Sequence, residues 1–70
     1  MGTAVDSETR LLKAIQKGEI TNIEQAKKYV EKNNLWFGPD TNVYDILTIN
    51  DRIRIIDYDR KTGVIKPIEG

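Results

Sequence analysis

The chain has no cysteine and no histidine in its 70 residues. These two absences exclude disulfide staples, thiolate metal sites, zinc fingers, and the Cys–His and Ser–His pairs of nucleophilic catalysis. They also remove imidazole, the one side chain that ordinarily titrates near neutrality. No apolar run approaches the ~20 residues that a membrane-spanning helix needs. Net charge is absent as a signal, because 11 Lys and Arg balance 11 Asp and Glu. Phosphate binding draws on a surplus of cations, so any basic face is expected to be made by folding. The five glycines are scattered and form no phosphate-cradling loop. Asp57-Tyr58-Asp59-Arg60-Lys61-Thr62-Gly63 is not a calcium loop, since Lys61 stands where an oxygen ligand is needed and Thr62 where glycine is needed. No cofactor, no metal and no enzymatic activity are expected.

What is present suits one small folded domain. Hydrophobic content of 39% and charged content of 31% are ordinary for a globular chain. A chain of this length buries roughly 60% of its unfolded surface, which leaves a thin margin and makes a partner or a homodimer a natural supplement. Residues 1–6 read as a flexible lead-in and 7–70 as a single α+β domain. The lack of disulfides in so small a domain suits a reducing compartment, so a cytoplasmic location is expected.

The periodicity predicts a first helix from Ser7 to Lys17, with Leu11, Leu12 and Ile15 on its apolar stripe. Asp6 or Ser7 is its expected cap, and Gly18 its stop. Thr21-Asn22-Ile23-Glu24 reads as a capping box opening a second helix, with Ile23, Ala26 and Val30 buried, Tyr29 at the edge and an exit at Asn33-Asn34. Leu35-Trp36-Phe37 is expected to plug the helix pair. Residues 41–48 read as a short third helix, capped by Asp40 or Thr41, although the β-branched residues there also suit a strand. Arg52-Ile53-Arg54-Ile55 alternates strictly, which predicts a strand with both isoleucines on the core face. Asp59 to Gly63 is a hairpin loop, and Val64 to Ile68 the return strand, placed at an edge by Pro67.

Leu11-Leu12-Lys13-Ala14-Ile15-Gln16-Lys17-Gly18-Glu19-Ile20-Thr21 resembles the first helix and turn of winged-helix domains. Asp40-Thr41-Asn42-Val43-Tyr44-Asp45-Ile46-Leu47 is similar to the start of their recognition helix. The resemblance implies two to three short helices followed by a C-terminal β-hairpin, with residues 52–68 as the wing. It also implies a DNA-binding or transcription-regulatory protein that meets duplex DNA through the third helix and the 59–63 wing. Two features depart from the pattern: the longer link from Leu35 to Pro39, and Asp40 and Asp45 in a helix start without a basic residue. Ile49-Asn50-Asp51-Arg52-Ile53 resembles the opening strand of SH3-like barrels, which implies the alternative of a helical pair with a small sheet.

On the winged-helix reading, Arg60 and Lys61 at the hairpin tip meet phosphates, and Arg52 and Arg54 extend that strip. Thr41, Asn42 and Tyr44 reach base edges or phosphate oxygens from the helix start. Lys27 and Lys28 form a basic patch on the second helix, partly neutralised by Glu24 and Glu31. The competing reading makes these cations a solvated surface, with Arg52 and Arg54 paired to Asp57, Asp59 or Glu69. Function is then a protein–protein interaction module without nucleic acid, using Trp36, Phe37 and Tyr44.

Overall fold

The computed structural model describes residues 4–68. Three helices, α1 (Ala4–Gln16), α2 (Ile23–Lys32) and α3 (Val43–Arg52), precede an antiparallel hairpin of β1 (Ile56–Tyr58) and β2 (Ile65–Pro67). No described helix is long and apolar enough to cross a membrane. The α+β order of helices first and hairpin last is the one the periodicity predicts.

Helix α1 starts at Ala4, so residues 4–6 of the expected lead-in are helical, while 1–3 and Glu69 lie outside the described residues. Ser7 is therefore inside the helix and not its cap. Buried against the α2–α3 link, its Oγ accepts the Trp36 amide at 2.9 Å. The exit is the expected one: Gly18 sits at φ 82°, with its amide donating to Ile15 O and that of Glu19 to Ala14 O. That pair of bonds satisfies the last carbonyls of the helix.

The cap of α2 differs from the expected box of Thr21 and Glu24. Asn22 Oδ1 accepts the Gln25 amide at 2.9 Å, and Gln25 Oε1 accepts from the Thr21 amide and hydroxyl. The reason is tertiary. Thr21 is drawn into extended backbone, where its carbonyl accepts the Ile65 amide at 2.9 Å and Asn22 bridges Val64. Asn34 at φ 51° then ends the helix, as asparagine tolerates.

Residues 43–52 are helix, longer than the expected 41–48, and the cap is Asn42, not Asp40 or Thr41. Asn42 Oδ1 accepts the Asp45 amide while Asp45 Oδ2 accepts the Asn42 amide, both at 3.1 Å. The expected strand at Arg52–Ile55 does not form. Val43, Ile46, Leu47 and Asn50 make a buried stripe at helical spacing that carries the helix through Arg52. Four alternating residues do not outweigh it. Ile53 is 59% exposed, Ile55 is exposed, and Arg54 takes the left-handed exit position at φ 65°. Asn50 and Asp51 lie in the last turn of α3, not at a strand opening, so the SH3-like alternative is not the fold.

The 59–63 loop is as expected. Asp59 Oδ1 accepts the amides of Lys61 and Thr62, and Gly63 at φ 79° donates to Asp59 O at 2.7 Å. Asp59 and Ile68 amides donate across to Val64 O and Ile55 O. Bonding positions alternate along an antiparallel pair, so Ile56 and Pro67 face each other at a non-bonding position. Proline's missing N–H thus costs the β1–β2 ladder nothing. On the other side of β2, Ile65 bonds Thr21, so the strand is flanked by β1 and the α1–α2 turn together.

The core gathers Leu11, Ala14, Ile15, Ile20, Ala26, Phe37, Val43, Ile46, Leu47, Ile56, Tyr58 and Ile65, with Ile23, Tyr29, Val30 and Leu35 packed on it. Trp36 does not join them. Its amide is pinned by Ser7, Phe37 turns inward, and the indole is left 56% exposed.

Candidate nucleic-acid interface

At 100° per residue, the four buried positions of α3 leave about half its circumference uncovered. Tyr44, Asp45, Ile49 and Arg52 are exposed there, Thr48 half so. This face carries one anion, one cation, an aromatic and an aliphatic side chain. It is not a basic face.

The side chains read from the sequence fall into three groups. The first gathers at the start of α3. Thr41 is half-buried with its hydroxyl donating to Pro39 O, and Asn42 Oδ1 is engaged by the helix cap. Tyr44 projects outward, with Lys27 Nζ of α2 5.9 Å from its ring centre. That separation suits a cation–π contact. Lys28 is exposed beside Lys27. The second group, Arg60 and Lys61, is exposed at the hairpin tip. Arg52 and Arg54 make the third, at the opposite end of α3 from Tyr44, about 12 Å away along the axis.

Tyr58 links the first two groups. Burial raises its pKa above the ordinary value, Tyr44 adds to the rise, and the Arg60 guanidinium opposes it. That phenol lies at the end of β1. Its amide donates to Asp51 Oδ1 at 3.2 Å, tying the strand to α3. Asp59 stays fully exposed, and the loop amides of Lys61 and Thr62 hold its carboxyl below the ordinary range.

Three residues of consequence escape a reading by charge and motif. Asn50 is buried and donates from Nδ2 to Ile46 O at 2.8 Å and to Glu8 Oε2 at 3.1 Å, bridging α3 to α1. Ile49 and Ile53 are large apolar groups left 48% and 59% exposed. Helical phase from Val43 onward marks all three, once the helix is extended past residue 48. Beside Trp36, an open groove of about 290 Å³ runs between α2 and α3, with Val30, Leu35, Phe37, Val43 and Tyr44 in its walls. Among the described residues, no group of three or more acidic side chains is placed to hold a metal ion.

Compared with protein-family models, curated proteins and solved structures, the chain shows no match.

Proposed function

We propose that this chain is a winged-helix-type module that contacts duplex DNA through α3 and the 59–63 hairpin tip, as a regulator of transcription. The observation that supports it most is how the hairpin is held. Ile65 and Ile23 amides bond Thr21 O and Gly63 O, and Tyr58 bonds Asp51, so the basic tip is fixed relative to α3. A tip held in this way reaches phosphates without first losing the entropy of a free loop. Lys27 beside Tyr44 adds a cation from α2 at the first turn of α3.

Phosphate contacts position such a module and are read by salt. The test is fluorescence anisotropy of labelled duplex DNA across a salt series. Arg60→Ala with Lys61→Ala should weaken binding for all sequences and reduce the salt slope by about one per lost phosphate contact. Absence of any salt-sensitive binding at low ionic strength would remove the reading.

A second reading, a protein-interaction module, is favoured by the composition of α3. Tyr44, Ile49 and Ile53 are 44%, 48% and 59% exposed on a helix whose outward charges cancel. Ile49 and Ile53 stand one turn apart, and neighbouring exposed apolar groups of this kind mark an interaction surface.

A further inference from the structure

We propose that the uncovered face of α3 seats a second copy of this chain, with the two α3 helices antiparallel. The inference goes beyond DNA contact and does not rest on it. Its basis is the self-complementarity of the face. Asp45 and Arg52 are seven residues apart, so they lie within about 20° of each other around the axis and about 10 Å apart along it. Both are exposed, and both are equally distant from the point between Thr48 and Ile49. Reversing one helix against the other about that point sets Asp45 opposite the partner's Arg52 at both ends. Ile49 of each copy meets at the middle.

A parallel arrangement would set Asp45 against Asp45 and Arg52 against Arg52, which like-charge repulsion disfavours. The two-fold axis thus selects direction as well as partner, since an isologous interface must be complementary to itself. Asp45 keeps its capping role in this arrangement, because the Asn42 amide engages Oδ2 alone. Burying Ile49 of both copies removes large side chains from water, which supplies the driving force. The face is far smaller than the roughly 20–30 residues a side of a standard interface, so the dimer is weak and depends on concentration. Since DNA would use the same face of α3, dimer and DNA compete for it.

Sedimentation equilibrium of the full chain without DNA tests the proposal. The unmodified chain should gain mass with concentration. Arg52→Glu alone and Asp45→Lys alone each place like charges across both ends, and each should weaken the dimer about tenfold or more. Asp45→Lys is read only at unchanged helical circular dichroism, because it also removes the bond to the Asn42 amide. An equimolar mixture of those two variants should associate again, because the introduced lysine then faces the introduced glutamate while the native pair is kept at the other end. Ile49→Ser, on an exposed position, should weaken association with unchanged helical circular dichroism. A monomer at every concentration, or variants that associate as well as the parent, or a mixture that stays monomeric, would each overturn it. DNA binding read separately by anisotropy tells failure of this proposal from failure of the other.

Discussion

The hairpin and α3 lie against the same core but are tied to it by different chemistry. Backbone bonds hold the hairpin in addition to its buried Ile56, Tyr58 and Ile65: Ile65 to Thr21 and Ile23 to Gly63. Side chains hold α3: Asn50 to Glu8, Asp51 to Tyr58, and the buried Val43, Ile46 and Leu47. A backbone tie is indifferent to most substitutions and sensitive to conformation. A side-chain tie has the opposite sensitivity. The contrast explains why the hairpin can carry charges at its tip, and why α3 has a strictly divided surface.

The strongest way to break the comparison is Gly63→Ala. Gly63 stands at φ 79°, and a Cβ there would approach Ile23 Cγ2 to 2.8 Å. Left-handed strain and overpacking together should destabilise the chain by about 2–4 kcal/mol, measured by urea denaturation. An effect under about 1 kcal/mol would mean the hairpin is not seated on the α1–α2 turn. Next comes Asn50→Ala, which removes the donor to Glu8 and Ile46 and should cost about 1–3 kcal/mol. A neutral result would show that the Asn50 bridge to α1 does not hold α3.

Arg54→Gly should act in the other direction. Arg54 closes α3 in the left-handed position that Gly18 fills for α1, its amide bonding Asp51 O and that of Ile55 bonding Asn50 O. Relief of side-chain strain, less the entropy of glycine, should stabilise by about 0.5–1 kcal/mol in thermal melts. A loss of stability would mean that the guanidinium makes a contact worth more than the strain. The smallest effect is acid loosening of the hairpin tip. The Asp59 carboxyl is held below its ordinary 3.8 by the loop amides, so folding favours the ionised form. That contribution is present above pH 3.8 and lost as pH falls through the folded value. Amide chemical shifts of Lys61 and Thr62 should follow this titration, and unchanged shifts would detach Asp59 from the turn.

Several parts of this protein are legible in the sequence because they are local. Gly18 and Asn34 end helices by φ preference, and Asp59 with Gly63 makes a turn within five residues. The apolar spacing of α1 and α2 places their buried faces without reference to the rest of the chain. The nine basic and polar positions proposed for nucleic acid are legible as residue types, and the exposure of all but the half-buried Thr41 follows from polarity. Their grouping does not, since Lys27 meets Tyr44 only when α2 crosses α3.

Tertiary structure decided where competing local signals were balanced. Thr21 can cap by chemistry, but the stronger cap Asn22 takes the position while the Thr21 backbone pairs with Ile65, 44 residues away. Trp36 reads as core by size, but Phe37 takes the buried place and the indole is left exposed, with its amide bonded to Ser7. Arg52 to Ile55 reads as a strand by alternation and becomes the last helical residue and its exit turn, because the buried stripe from Val43 to Asn50, with Asn50 bonded to Glu8 of α1, carries the helix through Arg52. Dihedral preference acts within a turn and needs nothing else to be present. Burial and distant hydrogen bonds have no energy until the chain has closed on itself, and that closure set the caps, the strand boundary and the open face of α3.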